Sequence, residues 1–341
     1  MKKITQLLAF LGLMMLLCSN VSQPGVYNSG GMAFTMLFPE DSLAYKKVQM
    51  QEEKIYMQLY KGFAVVKGTY KMVNTTSEKL SFKMGYPIKG IYNGGAAELD
   101  QVSLDSIYKF KVKTNQKEVA IDQVFYEQND PVISFSHDNW LAWQMDFLPN
   151  ESIEVAVYFI VNTNSGKITK GYNKKCTNTF IYLLESGSVW KQPIVKGDFI
   201  VELKDNLSLE AIDGISEYFN FKKHPSQMIL YGKKNNFSPT PKDNLIISYY
   251  KTMEVFDFQK IIKNEKQLYD AIDNLSQKTT PANLKGYTAV NPYEVSASLF
   301  GYFPIVLTMV LIYLPYLLMI VLGGFVLRAV FKLLKNHSYK K

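Results

Sequence analysis

Residues 54–73 read KIYMQLYKGFAVVKGTYKMV, and this stretch decides the fold class of the chain. In its first half every second residue is aliphatic: Ile55, Met57 and Leu59. A period of two is typical of a half-buried β-strand. Lys61-Gly62 then supplies a turn, and residues 63–73, rich in Val, Thr and Tyr, predict a second strand. The stretch therefore predicts a β-hairpin.

Strand patterns of this kind recur as far as residue 250, with turn signals about every ten residues. Turn residues at 74–77 precede a third strand, which would extend the hairpin into an antiparallel meander. Further strands are predicted at residues 80–86, 107–112, 119–126, 140–147, 153–161, 179–184, 195–203, 228–231 and 245–250. This spacing favours a β-sandwich over a parallel α/β sheet, so we expect a mainly β protein with one or two antiparallel β-sandwich domains.

The domain boundaries follow from shifts in composition. Residues 23–53 contain several glycines and have weak periodicity, which predicts a flexible entry. Residues 54–165 are expected to form a β-sandwich domain. Residues 162–178 are polar and rich in Lys, which predicts a long exposed loop and a boundary. Residues 166–254 then form either a second sandwich domain or a continuation of the first.

At residues 257–278 the spacing of apolar residues changes from every second residue to every third or fourth residue. Apolar side chains there recur at three- and four-residue spacing, as in an amphipathic helix. We expect residues 255–295 to contain this helix, or a stalk built from it, and a linker that leads towards the membrane.

The C-terminal part of the chain has the composition of a membrane span. No charged residue occurs between Glu294 and Arg328, and the interval is dominated by aliphatic and aromatic residues. A bilayer core needs about 20 apolar helical residues, so residues 296–327 predict one transmembrane helix with the lipid bilayer as its partner. Residues 328–341 contain five basic residues and no acidic one, which predicts a cytoplasmic tail.

The N-terminus resembles a signal peptide over residues 1–22. Lys2 and Lys3 precede a short apolar run that ends at Cys18. Lipidation of Cys18 is the less favoured alternative, because Leu17 is larger than the residue that a lipobox needs at that position. Removal of the signal leaves Cys176 as the one cysteine, so no internal disulfide can form. We therefore expect a bacterial envelope protein whose N-terminal part is periplasmic or extracellular.

The net charge of +8 is concentrated at the two ends of the chain. The two N-terminal lysines and the basic tail account for seven of these charges, so the region between them is nearly neutral. Arg328 is the one arginine, whereas nucleic-acid sites depend on clustered arginine and lysine. The composition therefore argues against nucleic acid as a partner.

Two segments resemble a group of secreted or membrane-anchored bacterial β-sandwich proteins of uncharacterised function. Residues 65–76 read VVKGTYKMVNTT and are followed by Met84-Gly85-Tyr86-Pro87, similar to a strand, N-T-T, strand, G-F-P pattern. Residues 180–190 read FIYLLESGSVW, similar to a segment that ends in T-G-x-x-W, with Ser186 in place of Thr. The resemblance implies a β-sandwich fold and an envelope location, and it implies no catalytic residues.

Motifs for catalysis, cofactors and metals find little support. The three histidines, His137, His224 and His337, are far apart in the sequence. His137-Asp138 near Trp140 combines an imidazole with a carboxylate, but a polar turn explains this pair better. Cys176 lies among lysines and is expected to be an incidental thiol. Residues 186–188, Ser-Gly-Ser, lack the leading glycine of a nucleophile elbow. The sequence thus predicts no catalytic, cofactor-binding or metal-binding residue.

The predicted function is non-enzymatic binding, scaffolding or accessory work in the cell envelope, with other membrane or envelope proteins as candidate partners. Residues 88–103 and 162–178 are the predicted recognition loops. Two alternatives stay open: an envelope hydrolase that acts on glycan or peptide, and a subunit of a transport or secretion complex.

Overall fold

The computed structural model describes residues 42–87, 91–93, 100–103, 107–124, 140–164, 166–170, 173–288, 290 and 299–338. Within these residues the protein is mainly β. The predicted signal peptide lies outside the described residues. The strands are β1 Val48–Tyr60, β2 Phe63–Asn74, β3 Leu80–Pro87, β4 Ile91–Asn93, β5 Asp100–Ser103, β6 Ile107–Thr114, β7 Lys117–Glu118, β8 Asp122–Val124, β9 Trp140–Phe147, β10 Ser152–Asn162, β11 Lys167–Lys170, β12 Asn173–Tyr182, β13 Ile194–Leu203, β14 Ile212–Ile215, β15 Lys222–Lys223, β16 Ile229–Phe237, β17 Leu245–Lys251 and β18 Lys285–Gly286.

Four α-helices and four short 3-10 helices accompany the strands in the described residues. The α-helices are α1 Ser42–Tyr45, α2 Phe258–Ile262, α3 Glu265–Gln277 and α4 Leu299–Ser338. The 3-10 helices are Leu184–Val189, Leu209–Ala211, Glu217–Phe219 and Pro241–Asp243. Contacts divide the chain into two units, one of residues 1–170 and 174–294 and one of residues 171–173 and 295–341.

The predicted hairpin is confirmed and is longer than expected. Tyr60 pairs with Phe63 across the Lys61-Gly62 turn, and Gly62 adopts a φ of 93°, which glycine tolerates without strain. The first strand begins at Val48, so the last six residues of the predicted flexible entry belong to the sheet. The alternation was harder to recognise there because a β-bulge interrupts it between Met50 and Glu52.

A nine-stranded sheet forms the centre of the fold, in the order β18-β15-β16-β13-β1-β2-β10-β6-β7. β1 pairs with β13 in parallel, which departs from the predicted antiparallel arrangement. A parallel pair needs a long connection, and the many residues between Tyr60 and Ile194 provide one. This sheet takes strands from both sides of the boundary predicted near residue 165, so the two ranges share one sheet.

The predicted meander ends at β2, because β3 leaves for a three-stranded sheet of order β3-β9-β8. Asn74 stabilises this corner. Its buried side chain donates to the carbonyl oxygens of Glu78 and Leu148, at 2.7 and 2.9 Å, and accepts from the backbone of Thr76 at 3.0 Å. The asparagine therefore joins the crossing from β2 to β3 with the return crossing from β9 to β10.

The third sheet has six strands in the order β14-β17-β12-β11-β5-β4. It places strands in both segments that the sequence predicted as loops, while their role in recognition stays a prediction. Residues 88–103 contain β4 and β5, and residues 162–178 contain β11 and the start of β12. Backbone pairing of β11 with β5 overrides the polar, lysine-rich composition that suggested loops.

The main apolar core draws side chains from all three sheets, among them Met57 of β1, Phe82 of β3 and Phe180 of β12. A second cluster joins α2 and α3 to the other face of the nine-stranded sheet through Phe258, Tyr269 and Ile272. We name these two faces of the sheet the cavity face and the helix face. The predicted amphipathic helix is thus confirmed with a break at Lys263-Asn264, and it packs on the sheet instead of forming a stalk.

In the second unit, α4 extends over 40 residues. Its segment Met309–Ala329 is the one candidate membrane span among the described residues, with a mean hydropathy of 2.5. Long and apolar enough to cross a bilayer, it overlaps the predicted span at residues 296–327. The helix continues to Ser338, so most of the predicted tail is helical.

Candidate functional site

The candidate site is built around Glu53, a carboxyl that β1 directs into the apolar core. After the bulge every second residue of β1 points inward, and these residues are Glu53, Ile55, Met57 and Leu59. Glu53 is 3% exposed. A carboxyl that is nine-tenths buried or more carries a large desolvation cost unless it is paired or protonated.

One tyrosine hydroxyl binds one oxygen of this carboxyl, and a second tyrosine hydroxyl binds the first. The Tyr182 hydroxyl donates to Glu53 Oε1 at 2.8 Å, and the Tyr70 and Tyr182 hydroxyls lie 2.8 Å apart. Tyr70 is the cross-strand partner of Glu53 on β2. Its side chain lies over Gly68, where a Cβ atom would come within 2.4 Å of the Tyr70 hydroxyl. Gly68 therefore provides the space that positions this tyrosine pair.

The second oxygen of the carboxyl, Glu53 Oε2, is buried and has no hydrogen-bond partner among the described residues. Burial raises the pKa of Glu53 from 4.5 to about 7, and the hydrogen bond from Tyr182 opposes this rise. The carboxyl therefore changes its charge near neutral pH, as few glutamates do.

A cavity of about 70 Å³ adjoins this carboxyl. Aromatic, aliphatic and thioether side chains form most of its described lining, together with a serine and the hydroxyl groups of three tyrosines, and none of the described residues that line it is Lys, Arg or His. The lining residues are Tyr45, Met50, Glu53, Tyr70, Met72, Met84, Gly85, Trp143, Val157, Tyr182, Ser186, Gly187, Val189 and Trp190.

A second polar atom at this cavity also lacks a partner. Trp143 Nε1 is buried, and no described residue accepts its hydrogen. Two residues that line the cavity thus each carry a buried polar atom without a partner among the described residues: an acceptor, Glu53 Oε2, and a donor, Trp143 Nε1. Buried polar atoms are nearly always paired with protein or ordered water, so two orphans at one cavity point to a bound group.

A second polar cluster, on the helix face, is fully engaged in holding α3. Lys67 Nζ lies 2.7 Å from Asp273 Oδ1 and donates to Ser276 Oγ at 2.8 Å. The Tyr158 hydroxyl donates to the same Asp273 oxygen at 2.9 Å. Since every charge here has a partner, the cluster serves to attach the helix to the sheet.

The residues that the sequence offered as candidates for catalysis or metal binding do not lie together in the described structure. His137 and Asp138 lie outside the described residues. His224 Nδ1 accepts backbone hydrogen bonds from Ser226 and Gln227, and so closes a turn. Cys176 is an exposed residue of β12. Among the described residues no group of three or more His, Cys, Asp or Glu side chains is placed to hold a metal ion.

Ser186, which the sequence did not predict as a nucleophile, lines the cavity. Its hydroxyl donates to the carbonyl oxygen of Leu183 at 2.7 Å, at the start of the 3-10 helix. The resemblance segment at residues 180–190 thus contributes five of the lining residues, from Tyr182 to Trp190.

Sequence reasoning missed Glu53, although a signal for it was present. The inward alternation of Ile55, Met57 and Leu59 extends back to Glu53, a charged residue at a core position. The strand was predicted to begin at Lys54, one residue too late to include it. Trp143 carried no comparable signal, because its approach to Glu53 depends on how the sheets pack.

Comparisons with known proteins identify no family for the chain. No protein-family model matches it, and no curated protein matches it. Among solved structures, a protein described as nutrient-binding from Legionella pneumophila is 14% identical, with a TM-score of 0.41, over 69% of this chain and 77% of that chain.

Two peptidase-related structures give weaker similarities. An M1 zinc metallopeptidase from Deinococcus radiodurans is 12% identical, with a TM-score of 0.31, over 60% of this chain and 42% of that chain. The yeast LTA4 hydrolase is 9% identical, with a TM-score of 0.36, over 66% of this chain and 31% of that chain. The matched region thus spans less than half of either protein, and similarities this weak carry no argument about function.

Proposed function

We propose that the chain is a single-pass membrane protein of the cell envelope whose β-rich part is exported. The segment Met309–Ala329 supports this proposal, because most of its described side chains are both apolar and exposed. Such side chains are more stable in the lipid core of a bilayer than in water. Arg328 and Lys332 follow the apolar core of this segment, and their charge favours the cytoplasmic side. The lipid bilayer is then the first partner of the protein.

We also propose that the sheets pack as a β-sandwich. The cavity face of the nine-stranded sheet supports this, because its core contains side chains of the three-stranded and six-stranded sheets as well as its own. Such burial of one sheet face against strands of another is the physical basis of sandwich folds.

The role that the site supports best is ligand binding without catalysis. One observation carries this proposal: Glu53 and Trp143 line one cavity, and Glu53 Oε2 and Trp143 Nε1 are buried without a partner among the residues that the structure describes. A bound molecule that supplied both hydrogen bonds would recover the desolvation cost of both atoms. The protein would then act as an envelope binding protein or as an accessory subunit that presents its ligand to a partner.

Cys176 provides a test of the topology, because it is exposed and is the one cysteine left after the predicted signal peptide. Full-length protein in intact cells and spheroplasts is treated with a membrane-impermeant maleimide. We expect Cys176 to be labelled before the inner membrane is permeabilised.

The matched control carries Cys176→Ser together with Ser338→Cys, which moves the thiol to the end of α4. This variant should be labelled only after permeabilisation. Labelling of Ser338→Cys in intact spheroplasts, or protection of Cys176 there, would contradict the proposed orientation. Recovery of both variants in the soluble fraction would contradict membrane insertion.

A further inference from the structure

We propose that the Glu53 cavity binds a small primary ammonium compound that also carries an acceptor oxygen, of the size of ethanolamine. This inference rests on the proposed binding function and names its ligand class. Three properties of the cavity support it: its charge, its aromatic wall and its second orphan atom.

The charge of the site calls for a cation. Glu53 is the one carboxyl among the described lining residues, and no basic side chain accompanies it there. Its Oε1 already accepts from Tyr182, whereas Oε2 is buried and unpartnered. An ammonium group would donate to Oε2 and also neutralise the buried charge, which a neutral ligand cannot do.

The aromatic wall suits an ammonium group as well. Tyr45 and Trp190 line the cavity, with their ring centroids 5.3 Å apart in an edge-to-face arrangement. The faces of indole and phenol rings attract cations in desolvated sites. The thioethers of Met50, Met72 and Met84 add a polarisable surface for the alkyl part of the ligand.

Trp143 accounts for the acceptor oxygen. Its Nε1–H donor is buried at the same cavity and can be satisfied only by an acceptor, which a simple alkylammonium lacks. A hydroxyl two carbons from the nitrogen, as in ethanolamine, supplies that acceptor. The volume of about 70 Å³ sets the size, because an engineered cavity of about 150 Å³ holds benzene.

Part of the lining is accessible to solvent. Most lining side chains are buried, but Met84 and Gly85 of β3 and Ser186 of the 3-10 helix are partly exposed. Methionine has three rotatable bonds and readily changes rotamer, so Met84 can admit a ligand without a change in the sheets.

Ligand binding should depend on pH, because the ammonium group binds beside the ionised form of Glu53. Among the described residues, the titratable groups that line the cavity with Glu53 are Tyr182 of β12, Tyr70 of β2 and Tyr45 of α1. Because burial holds the pKa of Glu53 at about 7, the carboxyl must lose its proton to the solvent before an ammonium group can bind beside it. Binding of a ligand that remains protonated should therefore weaken about tenfold between pH 8 and pH 6, and should release a proton at the lower pH.

The test is calorimetric titration of the full-length protein in detergent micelles with ethanolamine. Propylamine and 1-propanol serve as ligand controls that lack the acceptor oxygen and the charge respectively. We expect ethanolamine to bind best, propylamine several-fold more weakly and 1-propanol not measurably.

Three variants assign the contacts. Glu53→Gln keeps the shape and the acceptor for Tyr182 but removes the charge, and should weaken ethanolamine binding at least tenfold. Trp143→Phe should remove the advantage of ethanolamine over propylamine. Glu52→Gln changes the adjacent residue, whose carboxylate pairs with Lys54 outside the cavity, and should leave binding unchanged.

Equal binding of 1-propanol, or undiminished binding of ethanolamine by Glu53→Gln, would overturn the proposal. Absence of ethanolamine binding at pH 8 would also overturn it. These results are independent of the maleimide labelling, so failure of the ligand class can be distinguished from failure of the membrane topology.

Discussion

The helix face and the cavity face of the nine-stranded sheet each receive a charged side chain from the first hairpin. On the helix face Lys67 of β2 finds a carboxylate, a hydroxyl and the face of the Tyr158 ring, 5.4 Å from its Nζ to the centroid. On the cavity face Glu53 of β1 finds one hydroxyl and leaves an oxygen unpartnered.

A charge with a structural role can therefore be distinguished from one with a functional role by whether the protein satisfies all its hydrogen bonds. Both charges lie on adjacent strands and are mostly shielded from water, so their partners are what distinguishes them. The lysine gives stability by fixing α3 to the sheet, whereas the glutamate costs stability because its burial is only partly compensated. A residue that lowers stability and yet lies at a cavity is a candidate for binding. The predictions below test this contrast.

The largest effect should come from the pH dependence of Glu53. Its folded-state pKa of about 7 lies above the ordinary value of 4.5, so the folded protein holds a proton that the unfolded chain releases. This contribution to stability is complete below about pH 4.5 and is lost as the pH rises to about 7, by roughly 3 kcal/mol. Denaturant unfolding of the wild type between pH 4.5 and pH 8 measures it.

Glu53→Gln is the matched variant for that prediction. The amide does not titrate, so the difference in unfolding free energy between the two ends of this pH range should shrink by about 3 kcal/mol. Identical pH profiles for the wild type and Glu53→Gln would show that the carboxyl is not buried as described.

The next effect concerns the helix face. Asp273→Ala leaves Lys67 without its counter-charge and the Tyr158 hydroxyl without its acceptor. We expect a loss of about 2 kcal/mol in unfolding free energy, at the lower end for a broken ion pair because Asp273 is about one-third exposed. Asp270→Ala, at an exposed position of the same helix, should change stability little. Equal losses in the two variants would contradict the structural role of the Lys67 cluster.

A smaller effect is expected at Gly68, on the cavity face. A Cβ atom there would collide with the Tyr70 hydroxyl, so Gly68→Ala should displace this ring and break its hydrogen bond with Tyr182. The expected cost is about 1 kcal/mol, the value of a typical hydrogen bond. In a Tyr70→Ala background, which removes the whole ring, the same change should cost less, and an undiminished cost would place the collision elsewhere.

The smallest effect should be at an exposed ion pair. Lys175 and Asp213 lie 3.0 Å apart, and both side chains are about two-fifths exposed. Pairs of this kind contribute little, so Lys175→Ala should change the unfolding free energy by less than about 0.5 kcal/mol. A loss as large as that of Asp273→Ala would mean that burial does not separate these charges as we describe.

The sequence predicted the strands well and their arrangement poorly. Strands β2, β9, β10, β13 and β17 lie within a residue or two of their predicted bounds, because period-two alternation is a local property. The parallel pairing of β1 with β13, and the transfer of β3 to another sheet, depend on contacts between distant residues. Local patterns do not contain that information.

The candidate site, like the fold, has one feature that a local sequence pattern shows and others that depend on contacts between distant residues. The charged residue at an inward position of β1 was visible in the alternation, whereas the cavity was not, since it requires β2, β3, β9 and β12 to meet at Glu53. The polar residues at 162–178 suggested a loop because composition reports exposure better than it reports backbone pairing. Asn178 there is fully buried and donates to the carbonyl oxygen of Lys251.

The measurement that tests the central claim most directly is the titration of the Glu53 carboxyl itself. Full-length protein labelled with ¹³C at the glutamate carboxyl is followed by NMR from about pH 4 to pH 9, with Glu53→Gln to assign the signal. We predict a midpoint at about 7, and a midpoint at least about one unit lower in saturating ethanolamine. A midpoint near 4.5 without ligand, or one that ethanolamine leaves unchanged, would contradict the account.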